Sequence, residues 1–300
     1  MMDITVILVT YNSAEVIRGA LESIPGGYPV IVVDNASVDD TCRLVEADFP
    51  HVRVEKLGKN IGFGCANNVG IKLSQTPFVM LMNPDARLIA PDTLTRLREK
   101  ADEYPTAAIF SPSIIGEDGQ RQMNLPAPIL RRRQENKRFS MDMVAGDVCA
   151  DALSGALMLL RKSSFEGRGY YFDPNMFLYF EDDDICMDAN RRGYPTMLVP
   201  GIKVLHYAGQ SSGSSIEVEM LKNEHRTCAR LYLIGKYDGR LLAVGQAVKI
   251  LLRNTISTMG YSLKGAVEKR AVAISRVRGV LLYLSGRFRH LTKLEHTIKP

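Results

Sequence analysis

Four short apolar runs, separated by segments of helical periodicity, constrain the fold of this chain more than any other feature. The four predicted strands are Ile4–Thr10, Val30–Val33, Val52–Leu57 and Phe78–Met82. The β-branched apolar composition of the first, Ile4–Thr10, is typical of a strand buried on both faces of a parallel sheet. The segments between them repeat apolar residues at helical spacing over about ten residues. Strands that alternate with helices predict βαβ units with right-handed crossovers, and so an α/β domain.

Polar residues at the ends of the runs predict where the helices begin. Asn12 and Glu15 follow the first run in the order of a capping box, so Asn12 is predicted to cap the first helix. Ser37 or Asp39 is predicted to begin the second helix, and Gly62–Leu73 is predicted as the third. Each helix is therefore expected to start soon after a strand ends.

The second half of the chain is less regular. An exposed loop is expected at Arg131–Asp147, where large apolar residues are few. Gly193 is expected to end a helix as its C-cap. Strands are predicted at Ala107–Phe110, Ser113–Ile115, Leu153–Arg161 and Met197–His206, and a helix at Asp182–Arg192.

Cysteine usage and hydropathy indicate the compartment. The five cysteines are scattered without a CxxC pair, which argues against a disulfide framework or a zinc site and for a reducing compartment. No signal peptide is expected, because no basic segment followed by a long apolar one occurs at the N-terminus. No apolar run approaches the roughly 18 residues that cross a bilayer. We expect a cytoplasmic protein, or one peripheral on the cytoplasmic face of the inner membrane.

Charge divides the chain at about residue 240. Residues 240–300 contain 12 Lys and Arg against 2 Glu, a net charge of +10, whereas residues 1–239 carry −5. From Ala243, and again over Val272–Leu284, apolar residues recur opposite basic ones, a pattern typical of a helix on anionic lipid. The alternative is a helical appendage packed on the body or at a homo-oligomer interface. An acidic body with a basic tail is not typical of a nucleic-acid-binding protein.

Two acidic elements indicate the chemistry. Asp85 follows the strand Phe78–Met82, so it should emerge at the carboxyl edge of the sheet, where open α/β sheets bind ligands. The second element is the run Glu181–Asp184, directly after aromatic residues. One carboxylate that holds a metal and another that takes a proton are the minimum needed to displace a diphosphate from a sugar. The two elements therefore predict an enzyme.

Six segments occur in an order that carries a family resemblance: Val9–Asn12, Val32–Thr41, Asn60–Gly70, Asn83–Ala86, Ser154–Ala156 and Phe177–Gly193. Together they resemble the family 2 glycosyltransferases, especially the bacterial rhamnosyltransferase-like branch, over roughly residues 3–210. The resemblance implies a GT-A fold, an α/β domain whose mostly parallel central sheet is flanked by helices. Residues 1–110 would then form a nucleotide-binding half and residues 111–239 an acceptor-binding half, followed by the basic helical segment 240–300.

The resemblance implies an inverting transfer of a sugar from a nucleotide-sugar donor to a hydroxyl of a lipid-linked or polysaccharide acceptor. The branch favours L-rhamnose from dTDP-rhamnose, with a UDP-sugar as the alternative. Asp34 can accept the imide N–H of a pyrimidine, and Gly62 lets backbone amides approach the donor. The alternatives are an Asx turn at Asp34 and a packing turn at Gly62. The expected donor-binding residues are Thr10, Tyr11, Asn12, Asp34, Asn35, Asn60, Gly62, Asn67, Asn83 and Asp85.

The resemblance also implies a metal site and a general base. Asp85 and His206 are the expected ligands of a divalent cation, Mg²⁺ or Mn²⁺. Many relatives have two aspartates separated by one residue here, whereas this chain has Asn83 first, which lowers the local negative charge. Asp182 is the expected base, with Glu181 beside it. The alternatives are a strand-end turn, a structural histidine, and acids that stabilise a helix N-terminus.

Two other functions fit the sequence less well. A nicotinamide-dependent oxidoreductase would carry G-x-G-x-x-G after the first strand, and Tyr11–Glu15 lacks it. A non-catalytic carbohydrate- or membrane-binding scaffold on the same fold would need neither Asp85 nor Asp182.

Overall fold

A computed structural model describes residues 3–122, 146–207 and 215–290, so most of the loop expected at Arg131–Asp147 lies outside the described residues. The strands in these ranges are β1 (Ile4–Thr10), β2 (Val30–Asp34), β3 (Arg53–Lys56), β4 (Phe78–Met82), β5 (Ala86–Leu88), β6 (Ile109–Ile115), β7 (Val148–Cys149), β8 (Leu157–Arg161) and β9 (Thr196–His206). The α-helices are α1 (Ile17–Glu22), α2 (Thr41–Asp48), α3 (Phe63–Leu73), α4 (Thr93–Glu103), α5 (Glu181–Arg191), α6 (Ile216–Tyr237), α7 (Arg240–Leu263) and α8 (Val267–Ser285).

One mixed sheet organises the strands in the order β3-β2-β1-β4-β8-β6-β9-β5, with β7 paired to β9. Strands β1 to β4 pair in parallel, as the βαβ pattern predicted. Beyond β4 the sheet changes direction, because β8 is antiparallel to both β4 and β6, while β6 and β9 are parallel. The expected α/β fold class is confirmed.

Strand β1 lies at the centre of the parallel part and sets the edge at which the site forms. Its register places Thr10 beside Asp34 of β2 and Leu8 beside Met82 of β4, so these strands end at the same edge. Every residue of β1 and β4 is buried. Burial of one aliphatic side chain contributes roughly 1.5–3 kcal/mol, so the strands that carry the candidate site residues are firmly held.

The first helix does not begin where the sequence predicted it. α1 begins at Ile17, and no side chain caps it. Asn12 has a φ of 52°, and its Oδ1 accepts a hydrogen bond from Val38 N (2.8 Å). The prediction that Asn12 caps α1 is therefore wrong. Asparagine tolerates the left-handed conformation, and here its side chain joins the loop after β1 to the loop after β2.

Sequence periodicity missed β5, α4 and α6. β5 has only three residues, and its antiparallel pairing with β9 places Ala86 opposite His206. The two short strands predicted between residues 107 and 115 are one strand, β6, whose register shifts between Pro112 and Ser113. Proline cannot donate to a strand ladder, so an irregularity at this position has a physical cause.

The chain divides into two compact units. The first consists of residues 1–60, 65–173 and 182–212, and the second of residues 61–64, 174–181 and 213–300. Helix α6 therefore groups with α7 and α8, whereas the sequence analysis placed the start of the helical segment at residue 240. The difference arises because α6 packs on both of these helices.

Close packing of α6 on α8 depends on Gly279. A Cβ at this position would lie 2.4 Å from the carbonyl oxygen of Glu224. Only a glycine allows the two helices to approach this closely. Leu231, Ala247 and Val280 form a buried apolar cluster in the same unit.

Gly279→Ala is expected to destabilise the second unit by about 2 kcal/mol because the added Cβ overpacks the helix contact. This loss should exceed the gain of about 1 kcal/mol that alanine gives within a helix. The matched control is Gly260→Ala on α7, where an added Cβ meets no described atom within 4 Å and stability should rise. Thermal unfolding followed by circular dichroism compares the two, and equal stability of both variants would contradict the packing account.

A pH dependence follows from His225 on α6, which is buried and stacks on Phe177 with ring centroids 4.6 Å apart. Burial lowers the pKa of His225 from 6.5 to about 4. Between these values the unfolded chain binds a proton that the folded chain does not bind. Stability should therefore fall as the pH falls from 6.5 to about 4, by at most about 3 kcal/mol.

Urea unfolding at about pH 7, 5.5 and 4.5 measures this loss. His225→Phe keeps a ring against Phe177 but cannot titrate, so its stability should depend less on pH over this window. His51→Ala removes an exposed histidine and serves as the control. An unchanged pH dependence in His225→Phe would contradict the assignment.

Candidate active site

The Asp34 carboxylate, at the end of β2, joins the end of β1 to the loop that follows β2 through hydrogen bonds. Its Oδ1 accepts hydrogen bonds from Thr10 Oγ1 (3.0 Å) and Ser37 Oγ, and its Oδ2 accepts one from Ser37 N (2.9 Å). Burial and the interaction of its thiol with this carboxylate raise the pKa of Cys42, and Asp34 is only 2% exposed. The Asx-type turn that the sequence left open is present. The pyrimidine contact of Asp34 stays a prediction.

Further hydrogen bonds join the loops after β1 and β2. Asn12 N donates to Ser37 Oγ (2.9 Å), and Ala14 N donates to Asp39 Oδ2 (3.1 Å). Burial raises the pKa of Asp39, but hydrogen bonds from a neighbouring hydroxyl and from backbone amides outweigh it, so the pKa is lowered. Tyr11 lies in the first of these loops with its side chain 47% exposed. An exposed ring on a fixed loop is available to a ligand.

Asn35 and Asn60 meet through their side chains, with Asn35 Nδ2 donating to Asn60 Oδ1 (2.9 Å). Asn35 N also donates to Thr10 O (2.8 Å). The structure therefore brings Thr10, Asp34, Asn35 and Asn60 together at one edge of the sheet. Asn67 lies on α3 and is 1% exposed, so its side chain faces the interior. A donor contact of Asn67 stays a prediction.

Gly62 allows close packing within the second unit. Its φ is 86°, and a Cβ there would lie 2.1 Å from Phe177 O. Phe63 N donates to the same oxygen (3.2 Å). The expectation that the amides of this turn face the donor is therefore wrong for Phe63, whose N–H is bonded to the protein. The structure supports the packing-turn alternative, and a donor contact of Gly62 itself stays a prediction.

Asp85 and His206 are neighbours because β5 pairs with β9. His206 Nε2 is 3.3 Å from Asp85 Oδ1 and 3.4 Å from Asn83 Nδ2. Asp85 is 3% exposed, and its Oδ1 has no hydrogen-bond partner in the described part of the chain. A buried carboxylate oxygen without a donor is costly unless a cation or a proton lies beside it.

Gln122, which the sequence analysis did not single out, fixes the orientation of the His206 ring. Gln122 Nε2 donates to His206 O (3.0 Å), so its Oε1 is left to accept from His206 Nδ1 (3.2 Å). In the tautomer with the proton on Nδ1, His206 Nε2 faces the Asp85 carboxylate with a lone pair, as two ligands of one cation would. Gln122 lies far from both residues in sequence, and no local motif marks it.

Asp85 and His206 have the chemistry of metal ligands, but they are only two. Among residues 3–122, 146–207 and 215–290, no three His, Cys, Asp or Glu side chains form a set that could hold a metal. Mg²⁺ commonly binds through one or two protein ligands together with phosphate oxygens and water. Asp85 and His206 would provide the two protein ligands of such a site.

Asp182, on the first turn of α5, contacts the segment that precedes β8. Its Oδ2 accepts from Gly155 N (3.0 Å), and its Oδ1 accepts from the next amide along the chain (3.0 Å). The neighbouring Ala156 O accepts from Asn83 N (2.9 Å). Because adjacent Cα atoms are about 3.8 Å apart, the Asn83–Asp85 turn and Asp182 lie in one region of the first unit. Their catalytic roles stay predictions, since amide contacts of Asp182 also stabilise a helix start.

The acidic run is not a cluster of equivalent carboxylates. Asp184 is fully buried 3.6 Å from Arg168, which also lies 3.1 Å from Asp188. Glu181 is buried as well and belongs to the second unit. Asp182 alone within the run Glu181–Asp184 is partly exposed, so it is the best placed to meet a substrate. The sequence analysis missed Arg168, because nothing near it in the sequence pairs it with the run.

Two left-handed residues bend the chain directly before α5. Tyr179 and Phe180 have φ values of 71° and 66°. Neither is glycine, so each costs roughly 1–2 kcal/mol in this conformation. Strained backbone persists only where neighbouring contacts hold it, and it is frequent at functional sites. The sequence analysis missed the bend, since aromatic residues give no signal for it.

Comparison with known proteins identifies the family of the chain. The family model described as Glycosyl transferase family 2 matches residues 5–168, more than half of the chain. The N-acetylglucosaminyl-diphospho-decaprenol L-rhamnosyltransferase of Mycobacterium tuberculosis (strain CDC 1551 / Oshkosh) is 26% identical over 236 residues. This alignment covers 70% of this chain and 76% of that protein.

Two solved structures share the fold. TarS of S. aureus aligns with a TM-score of 0.54 at 20% identity. The alignment covers 80% of this chain but only 43% of the TarS chain. The mannosyltransferase PcManGT from Pyrobaculum calidifontis, solved in complex with GDP-Man and Mn²⁺, aligns with a TM-score of 0.55 at 16% identity. That alignment covers 94% of this chain and 87% of the other. The chain therefore belongs to glycosyltransferase family 2 and has the GT-A fold.

Proposed function

We propose that the chain is an inverting glycosyltransferase that moves a sugar from a nucleotide-sugar donor to a hydroxyl of a lipid-linked or polysaccharide acceptor. One observation carries the proposal. In a member of this family, the Asn83–Asp85 turn and Asp182 both bond to the segment Gly155–Ala156. A metal candidate and a base candidate in one region are what displacement at a sugar–diphosphate bond requires.

In the proposed reaction, Asp182 accepts the proton of the acceptor hydroxyl as that oxygen attacks the anomeric carbon. A new C–O bond forms opposite the diphosphate, the bond from the anomeric carbon to the phosphate oxygen breaks, and its electron pair leaves with the nucleoside diphosphate. One in-line displacement inverts the configuration of the anomeric carbon. The hydrogen bond from Gly155 N holds the Asp182 carboxylate in one orientation for this step.

Asp85 Oδ1 and His206 Nε2 are the proposed protein ligands of Mg²⁺ or Mn²⁺. A cation held there would neutralise part of the negative charge of the leaving diphosphate. Asn83 stands where many relatives have a second acid, so the protein offers one carboxylate and one imidazole. We therefore expect the cation to bind weakly without the nucleotide and more tightly with it. PcManGT, solved with GDP-Man and Mn²⁺, supports this pairing of nucleotide and metal.

The proposed donor is dTDP-L-rhamnose, with a UDP-sugar as the second candidate. The name of the mycobacterial relative, an L-rhamnosyltransferase with a lipid-diphosphate acceptor, supports this donor and acceptor class. Thymine and uracil both carry an imide N–H, which a carboxylate such as that of Asp34 can accept. The two nucleotides differ by one thymine methyl group and one 2′-hydroxyl, so measurement decides between them.

Asp182→Asn is expected to lower the turnover number by about 10²–10⁴-fold, because the amide cannot accept the hydroxyl proton. Donor binding, measured as a thermal shift with dTDP-rhamnose or a UDP-sugar, should stay intact. Asp92→Asn replaces an exposed acid at the start of α4 and is the matched control. Loss of donor binding in Asp182→Asn, with full turnover of the remaining bound complex, would contradict the assignment of the base.

Asp85→Asn and His206→Ala are each expected to raise the Mn²⁺ concentration for half-maximal activity by at least about tenfold. Gln122→Ala should have a smaller effect in the same direction, because it only orients His206. His51→Ala provides the histidine control. Metal titrations after treatment with a chelator measure the effect, and transfer that continues at full rate without metal would contradict the proposed site.

We also propose that residues 240–300 bring the enzyme to the cytoplasmic face of the inner membrane. In the described ranges, no helix is both long enough and apolar enough to cross a bilayer. Helix α7 instead bears an exposed apolar row, the α7 stripe, which spans an arc of about 120° at 100° per residue. The stripe consists of Leu241, Val244, Val248, Leu252, Ile256, Met259 and Leu263, which are 45–91% exposed.

The charges beside the α7 stripe favour anionic lipid over a second copy of the chain. Lys249 and Arg253 are exposed at its margin. In a two-fold dimer the stripe would meet a second copy of itself, and the stripe contains no acid that could pair with these cations. An anionic bilayer instead accepts the apolar row and attracts each cation by about 1 kcal/mol.

The protein is expected to float with vesicles that contain phosphatidylglycerol and to bind vesicles of pure phosphatidylcholine much less. Leu252→Ser together with Ile256→Ser should weaken vesicle binding by about tenfold or more. Val38→Ser removes an exposed apolar side chain outside the stripe and is the control. A protein that ignores anionic vesicles but forms a dimer sensitive to Leu252→Ser would contradict the membrane proposal.

A further inference from the structure

Helix α6 contacts the segment that leads into the candidate base. Arg226 Cζ lies 4.3 Å from the centre of the Tyr179 ring, and the His225 ring lies 4.6 Å from that of Phe177. The segment 174–181 and α6 belong to the same compact unit. His225 and Arg226 are consecutive residues of α6, so this helix contacts the segment 174–181 at two nearby residues, Phe177 and Tyr179.

Hydrogen bonds also hold the beginning of the segment 174–181. Asn175 Nδ2 donates to Tyr232 Oη (3.3 Å), with Tyr232 on the same helix. Phe177 O accepts from Phe63 N (3.2 Å) at the place where Gly62 leaves room for it. These contacts fix the chain up to Phe177. The bend at Tyr179 and Phe180 follows directly after these contacts.

We propose that Arg226 is a positioning residue whose guanidinium, lying over the Tyr179 ring, holds the left-handed bend at Tyr179–Phe180 and so orients the Glu181–Asp182 pair. The proposal rests on the proposed function only for the role of Asp182. It extends that function by assigning a residue of the C-terminal helices to the reaction, although Arg226 lies 44 residues after Asp182.

The geometry gives Arg226 this role for two reasons. A cation over the face of an aromatic ring is attracted by the ring quadrupole, so the contact favours one placement of Tyr179. The two positive φ values follow one another and end directly at Glu181, the first residue of α5. Relaxation of either φ angle to a negative value would change the direction of the backbone at Glu181, the residue before Asp182.

Arg226 is exposed, so its replacement leaves the core of the second unit intact. Loss of activity in an Arg226 variant would therefore not reflect global unfolding. The ring contact also predicts coupling. Removal of the ring by Tyr179→Leu should have the same consequence as removal of the cation by Arg226→Met, and the double variant should be little worse than either single one.

The test combines amide hydrogen exchange with steady-state kinetics on the full chain. Arg226→Met is expected to speed exchange of the amides of residues 179–183 by at least about fivefold and to lower the turnover number by about tenfold. The donor KM should stay within about twofold, because the donor residues are untouched. Arg226→Lys should retain most of the activity, and Lys222→Met removes a cation one turn earlier on α6 as the control.

Unchanged exchange in Arg226→Met would overturn the proposal, and so would faster exchange with an unchanged turnover number. Equal effects of Lys222→Met and Arg226→Met would overturn it too, since general charge loss would then be the cause. Hydrogen exchange needs no substrate, so it decides whether Arg226 holds the bend even if no donor is turned over. A wild-type protein without transferase activity would instead count against the proposed function.

Discussion

The backbone hydrogen bond from Asn83 N to Ala156 O is the contact on which the candidate site depends. It continues the antiparallel pairing of β4 with β8, two strands that are remote in sequence. On one side of this bond the chain turns to Asp85, and on the other Gly155 N donates to the Asp182 carboxylate. A metal candidate and a base candidate, about a hundred residues apart, are thereby brought into one region by ordinary strand pairing.

Two buried aspartates at the same edge of the sheet differ in how their oxygens are satisfied. Asp34 accepts three hydrogen bonds from Thr10 and Ser37, so it fastens the loops at the end of β1 and β2. Asp85 has an oxygen without a hydrogen-bond donor in the described chain, facing His206 Nε2. A satisfied carboxylate stabilises the fold, whereas an unsatisfied one beside a lone pair needs a cation or a proton. The same residue type thus serves structure in one place and suits chemistry in the other.

The sequence predicted elements whose local composition is sufficient to define them. The bounds of β1 and β4 agree with prediction because both are apolar runs buried on each side, and Gly193 adopts a φ of 84° just after α5. β5 was missed because three residues form a strand only when β9 lies beside them. Arg168 and Gln122 were missed because their partners are distant in sequence.

The limits of local reasoning are clearest where a residue adopts a conformation that its type disfavours. Tyr179 and Phe180 would be assigned extended or helical backbone from composition, yet contacts with α6 accompany a left-handed bend. Asn12 was expected as a helix cap and instead joins two loops. In each case long-range contacts outweigh the local preference, and both places lie near candidate site residues.

The central claim is that Asp85 and Asp182 act on one bound donor. It is tested most directly by a crystal structure of the protein with Mn²⁺ and dTDP-rhamnose, with diffraction recorded at the manganese absorption edge. The account predicts an anomalous peak about 2 Å from Asp85 Oδ1 and His206 Nε2, in contact with the diphosphate, and the anomeric carbon facing the Asp182 carboxylate. Manganese and nucleotide bound elsewhere, or a sugar turned away from Asp182, would contradict it.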